Sequence, residues 1–350
     1  MTFRPRTRKQ QLAAIGIQNN GLLEHMEAYP KEQRRNPEFL RDLRMLLRPH
    51  PEFFPSIPTP DPGDWLGTRK GTDQTFLGFT KNHGHRRPRR SGYRTKKIYL
   101  VPIVENEADL TKFPPLDLLE SMVTSFFCLE VIMLDPLSIK DINQDSKPIE
   151  TCKKYLGGHR WKQYDARGIL RCLEKRKPSD AQALMAFTMH DLFKVGFNYL
   201  FGLGSTSGVG VFSFFRQDPA SVACEFWNGR NERMEGDDEV LIRRASMTLC
   251  HEICHILGMK HCTFYSCLMQ GANSLEEAEK RGGPRLCPCC LRKLCWSVAV
   301  SPKTHYEKLL AHCACWPGAY ADDIEWLASR ISLLTADERA LLLPLVNGFA

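Results

Sequence analysis

The run His251-Glu-Ile-Cys-His-Ile-Leu-Gly-Met-Lys-His261 constrains this chain more than any other segment. His251 and His255 stand four positions apart, so on a helix both imidazoles leave the same face and can reach one Zn²⁺. Gly258 can take a backbone conformation closed to most residues, which lets the chain turn out of the helix and bring His261 round as a third ligand. A fourth position then stays open to water. Zinc lowers the pKa of such a water from 15.7 to about 7, and Glu252, beside the first ligand, is placed to take its proton during attack on a carbonyl. A helix with solvated or core histidines is the competing reading. With average residue frequencies, the five fixed positions coincide by chance in a chain this long at roughly one in 10⁴ to 10⁵.

Cys262 follows His261 directly, Cys267 and Met269 come next, and Cys287-Pro-Cys-Cys290 lies further on. The whole string, His-Glu-x2-His-x2-Gly-x2-His-Cys-x4-Cys-x-Met-x17-Cys-x2-Cys, resembles the signature of the archaemetzincins, a zinc-metallopeptidase family of the metzincin clan. The resemblance implies a catalytic zinc on His251, His255 and His261, with Glu252 as general base and acid. It implies a second, structural zinc on Cys262, Cys267, Cys287 and Cys290, hence two zinc ions per chain. Four thiolates complete a tetrahedral Zn²⁺ and leave no site for water, so that ion should cross-link the chain. Met269 looks like the methionine of the metzincin Met-turn, an apolar floor below the histidines. Cys289 stays open as a substitute for one of the pair Cys287 and Cys290, although its adjacency to Cys290 disfavours it. Cys250 and Cys254 share a helix face and read as buried, inert thiols before a redox role. Arg281-Gly-Gly-Pro284 departs from the family pattern, a departure that touches loop shape only. No Arg or Tyr is assigned as a second oxyanion donor.

A chain of 350 residues with 43% hydrophobic content can bury one large core or two smaller ones. No apolar stretch approaches the twenty residues of a membrane span, and the first residues lack the apolar run of a secretory signal. Fourteen cysteines in that setting read as reduced thiols, so the expected compartment is the cytoplasm, with the nucleus left open. Arg4, Arg6, Arg8 and Lys9, with no acid before Glu24, also suit a mitochondrial transit peptide. The net charge of +8 is concentrated between Arg86 and Lys97. That run reads as a solvated linker before a nucleic-acid or import-receptor site, since no aromatic ladder accompanies it to stack bases.

Residues 1–95 are expected to be an N-terminal extension, partly disordered, with a short helix from Pro37 capped by Asn36, a proline-rich stretch and the basic linker. Residues 96–310 are expected to form a metzincin-like catalytic domain carrying both zinc sites, and 311–350 a C-terminal helical segment. Strand-like Ile98–Ile103, Glu130–Leu134 and Ala183–Met189 alternate with helix-like Leu116–Leu129 and Asp165–Lys175. That order predicts an α/β (α+β) fold: a mixed, largely parallel sheet with backing and active-site helices and a zinc-stapled C-terminal subdomain. Residues 208–215 should add a strand, which the resemblance places at the sheet edge above the cleft, and the glycines before it should form a mobile connection. The zinc helix should run from about Gly236 to Leu257.

The function expected from these features is hydrolysis of peptide bonds in peptide or protein substrates, as an aminopeptidase-like enzyme or a selective oligopeptidase. The competing class is a non-catalytic, zinc-stabilised binding module that uses the basic N-terminal region, and Glu252 argues against it. A third reading has the cysteine cluster sense oxidation by losing its ion.

Overall fold

The computed structural model describes residues 3–68, 73–83, 97–142, 149–152, 159–226, 229 and 232–346. The basic run up to Lys96 lies outside the described residues. The N-terminal portion contains the helices Arg8–Ile15 (α1), Lys31–Arg35 (α2), Pro37–Leu46 (α3), Trp65–Thr68 (α4) and Phe76–His83 (α5). Thr7 and Gln10 make a capping box at α1, and Asn36 accepts from the Phe39 amide with Pro37 in the first turn of α3. This portion is not peripheral to the packing. Ala14, Ile15, Leu43, Leu46, Phe76 and Phe79 are wholly buried in one hydrophobic cluster with the helix that carries His251. Between the prolines, Phe54 and Ile57 are buried too, and Phe54 meets Trp326 edge-on at 5.7 Å. Prolines stop regular structure there but leave aromatics free to anchor the chain by tertiary contact.

The central sheet is laid down by alternation. Along Lys97–Val104 (β1), Ile98 and Leu100 face one cluster while Tyr99, Val101 and Ile103 face another. Val131–Met133 (β2) and Leu137–Ser138 (β3) both pair with β1 in parallel. A second, four-stranded sheet begins with Ile149–Cys152 (β4) and Arg160–Asp165 (β5). Ala181–Thr188 (β6) pairs in parallel with β1 on the side away from β2. Asp191–Lys194 (β7) and Phe197–Leu200 (β8) complete the second sheet, whose order is β4-β5-β7-β8. Gly202–Gly204 (β9) and Val209–Ser213 (β10) return to the first sheet, giving β2-β1-β6-β10-β9. Only β9 runs antiparallel there.

Helix Leu116–Phe127 (α6) covers the first face of this sheet, and Ala166–Arg176 (α8), after the short Ile139–Ile142 (α7), covers the other. Asp237–Ile256 (α9) joins α6 on the first face, against Met185, Phe187 and Phe212. The result is an α/β layered fold with a mixed, largely parallel sheet. Leu275–Glu279 (α10), Pro288–Val298 (α11), Pro302–Ala314 (α12) and Pro317–Val346 (α13) follow, the last two separated from α11 by a left-handed turn at Ala299. No helix of the described residues is long and apolar enough to cross a membrane.

Two expectations need correction. The strand within 208–215 is interior, between β6 and β9, because β10 bonds on both sides; the edge above the cleft is β9. Two of the three preceding glycines accordingly belong to that edge strand, Gly202 and Gly204 sitting opposite Phe212 and Gly210, while Gly208, with a φ of +90°, lies in the connection to β10.

Candidate active site

The last turn of α9 and the chain that leaves it converge three imidazoles. Leaving requires Gly258, whose φ is +96°, a value that L side chains rarely adopt; its amide donates to His255 O while Met259 N reaches back to Cys254 O. The chain thereby reverses and places His261 over α9. His251 Nε2 lies 2.9 Å from His255 Nε2 and 3.2 Å from His261 Nε2. Nδ1 of His251 sits 2.7 Å from Leu268 O, and Nδ1 of His255 sits 2.6 Å from Met259 O. A carbonyl only accepts, so each Nδ1 carries the proton and each Nε2 a lone pair. Lone pairs facing one another at this range repel unless a cation lies among them. Two nitrogens on one tetrahedral Zn²⁺, each about 2.0 Å away, would be about 3.3 Å apart, so the histidines fit a zinc ion. Burial, reinforced by His255, Arg281 and His261, holds the His251 pKa well below its ordinary value, which keeps it the neutral imidazole a metal needs.

Glu252 shares a cleft with these histidines. The cavity, about 530 Å³, is lined by His251, Glu252, His261, Trp65, Phe201 and Arg281 among others. Burial pushes the Glu252 carboxyl up, against the pull of His255 and Arg281. One wall is fixed from below: Arg216 grips Asp191 through Nε at 2.9 Å and its terminal nitrogen at 2.7 Å, and stacks 3.8 Å from the ring of Tyr199 in β8. Asp191 is therefore committed to structure, accepting also from Trp161 and Gln163. The opposite wall comes from α10 and from the N-terminal portion. Glu277 accepts the Trp65 amide at 2.9 Å, and the Trp65 indole meets His261 edge-on at 4.4 Å.

Cys262, Cys267, Cys287 and Cys290 form a second convergent set, all buried, with ligand atoms within 4.8 Å of one another. Cys262 Sγ is 3.7 Å from Cys287 Sγ, close to the roughly 3.8 Å that two thiolates about 2.3 Å from one tetrahedral ion would show. Cys289 is not in this set; its Sγ points to Ala14 O at 3.3 Å. Lys293 lies beside the cluster, donating to Gln74 O and, at 3.2 Å, to Gln74 Oε1. Burial opposes the Lys293 charge, but the thiols of Cys289, Cys290, Cys262 and Cys287 outweigh it. Cys250 and Cys254 are buried in α9, and desolvation keeps both thiols protonated. Met269 is wholly buried two residues past Cys267.

The structure thus brings together the three histidines with Glu252, and separately the four cysteines. Sequence reasoning did not reach Trp65, Gly202, Arg281 or Lys293. Trp65 follows a proline-rich stretch with no motif around it, and Arg281 stood out only as a departure in loop pattern.

The model of peptidase family M54 matches residues 149–295. Archaemetzincin-2 of Macaca fascicularis is 31% identical over 284 residues, covering 75% of this chain and 76% of that protein. Archaemetzincin-1 of Rattus norvegicus is 32% identical over 281 residues, covering 75% of this chain and 54% of that protein. Among solved structures, archaemetzincin from Archaeoglobus fulgidus is 24% identical and covers 56% of this chain and 99% of its own, with a TM-score of 0.39. Identity above 30% across three quarters of both chains decides the matter, and this chain belongs to the archaemetzincin family of zinc metallopeptidases.

Proposed function

We propose that the chain hydrolyses peptide bonds in the cleft between β9 and α10, with His251, His255 and His261 holding the catalytic zinc and Glu252 acting as general base and then general acid. The observation that carries this reading is the convergence of three Nε2 atoms, two of them with established lone pairs, beside a carboxylate that belongs to neither metal set. A zinc ion held there supplies Lewis acidity toward the scissile carbonyl and brings the pKa of a water to about 7. Glu252 takes the proton of the attacking water and returns it to the departing amine. Trp65 and the β8 wall exclude bulk water and orient the peptide. The second group, Cys262, Cys267, Cys287 and Cys290, holds a structural zinc, giving two ions per chain.

The lining favours a selective oligopeptidase over an aminopeptidase. A free peptide amine needs a carboxylate partner, and among the described residues lining the cavity Glu252 is the one acid, already used as the base. A volume of about 530 Å³ admits a few residues of extended peptide.

Zinc per chain by elemental analysis, with cleavage of a mixed peptide library on the same samples, tests the reading. Wild type should carry two zincs, and Glu252→Gln should keep both while losing about 10²- to 10⁴-fold in kcat/KM. His255→Ala should lose one zinc and all cleavage. Cleavage that persists in Glu252→Gln refutes the assigned base.

A further inference from the structure

Arg281 is the unassigned cation of the cleft. Its amide donates to Ala278 O just past α10, so the side chain stands in the wall between the main cavity and a smaller one lying between α9 and α10. Three arginines line the smaller cavity, and two are spoken for. Arg243 donates to Asp323 at 2.5 Å and Arg244 Nε to Glu279 at 2.8 Å. Among the described residues the Arg281 guanidinium has no hydrogen bond or ion pair, and its Nε is buried without a partner. Burial lowers its pKa to about 10, opposed by Glu277, Cys267 and Glu252, so it remains a cation at neutral pH. Glu277 cannot serve it fully, because its oxygens already accept the Trp65 and Asn273 amides, the latter at 2.6 Å.

A guanidinium offers five N–H donors in a planar fork that matches a carboxylate, and Arg281 is half-buried with its Nε closed off from solvent and unpartnered. We propose that Arg281 is a carboxylate-binding subsite of this cleft, selecting peptides that carry a carboxylate within a residue or two of the cleaved bond. The inference rests on the peptidase reading of the same cavity. Among the described lining residues Arg281 is the sole Lys or Arg of the main cavity, which suits a monoanion better than a phosphate dianion. The remaining walls, with Trp65, Phe197, Tyr199, Leu200, Phe201 and Leu275, suit peptide side chains. Two sources can supply the group: the α-carboxylate of a peptide C-terminus, or an acidic side chain.

The test uses the zinc-loaded full chain and peptides made in matched pairs, one pair differing as free acid against C-terminal amide, the others as Glu against Gln at each position near the bond. Affinity is measured by calorimetry on a Glu252→Gln background, which does not turn the peptide over, and kcat/KM on wild-type Glu252. One member of one pair should bind and react about 10- to 100-fold better, as expected for hydrogen bonds to a charged group. Discrimination between acid and amide identifies the C-terminus as the source, and discrimination between Glu and Gln identifies a side chain. Arg281→Met should abolish the preference and Arg281→Lys should keep part of it. The comparison of paired peptides on wild type holds even if the methionine variant does not fold. Peptides cleaved without any carboxylate preference, or a preference that survives Arg281→Met, overturn the subsite while leaving the peptidase intact. Failure to bind or cleave any peptide overturns both.

Discussion

Gly202 gives the sharpest handle on the position of the base. It belongs to the edge strand β9, where the backbone passes directly beside Glu252. A Cβ at this position would lie 2.9 Å from Phe212 Cβ and 3.2 and 3.3 Å from Cδ and Cγ of Glu252. Carbon contacts are best at about 3.5–4.0 Å, so one added methyl overlaps the fixed Phe212 by about 0.6 Å and presses on the carboxylate by about 0.3 Å. Phe212 is wholly buried between Phe187 and Phe214 and cannot retreat, so β9 or Glu252 must move. Overpacking of this kind costs about 1–3 kcal/mol of stability. A displacement of about 1 Å can cost about 10²-fold in rate, and the smaller shift here is expected to cost about 10-fold in kcat/KM. The expected signature for Gly202→Ala is unchanged zinc content, modest destabilisation and a 10-fold loss of cleavage. Gly204→Ala is the control, because a Cβ there meets only Ile256 at an ordinary 3.8 Å. Full activity in Gly202→Ala, in a protein that Glu252→Gln inactivates, would refute the idea that β9 sets the base.

The cysteine set separates two neighbours: Cys290→Ser should lose the structural zinc and loosen the catalytic one, whereas Cys289→Ser should retain both, and stepwise chelation with zinc-release kinetics reads the difference. Equal zinc affinities in the two variants would contradict the assignment. Acid stability should report two buried histidines. His305 contacts Phe126 O at 2.8 Å and His312 contacts Ser121 Oγ at 3.0 Å, and burial lowers both pKa values to about 4 from 6.5. The unfolded chain takes up these protons first, so their contribution is complete above about pH 6.5 and disappears as pH falls toward 4, at about 3 kcal/mol for each histidine. Denaturant midpoints measured from pH 7 to 4 should fall less steeply in His305→Phe than in wild type; parallel curves would contradict this.

What the sequence disclosed was whatever has a fixed spacing. The helical interval from His251 to His255, the glycine that ends α9 and the alternation of β1 and β6 are local rules, and the structure places those residues as the rules require. What escaped depends on partners distant in sequence. Strands β4, β5, β7 and β8 are short, with Arg160, Lys162 and Asn198 interrupting any apolar period, and a buried Asp191–Arg216 pair ties them to the end of β10. The helices α1, α4 and α5 have weak apolar faces of their own and are held by residues more than 190 positions away, such as Arg292 donating to Ile15 O and Glu277 accepting from Trp65. Trp65 seats over Gly271, where a Cβ would come within 2.3 Å of the indole, a complementarity visible only after folding.

Under the two-zinc reading the sites are parts of one mechanical element. His261 and Cys262 are consecutive, so the third catalytic ligand hangs from the first structural one. At the far end of the same loop, Cys267 precedes Leu268, whose carbonyl fixes the Nδ1 proton of His251. The loop is closed by Cys262 N donating to Met269 O at 2.6 Å and by Leu268 N donating to Arg285 O at 2.9 Å. A tetrathiolate ion that pins Cys262 and Cys267 against the start of α11 therefore sets both the position of His261 and the tautomer of His251. Linkage makes the dependence reciprocal in affinity, so an ion at the histidines must strengthen the tetrathiolate site by the same factor; α9 itself is a 20-residue helix packed in the core. Under this reading zinc at the cysteines prepares the site at the histidines, and the two affinities rise together.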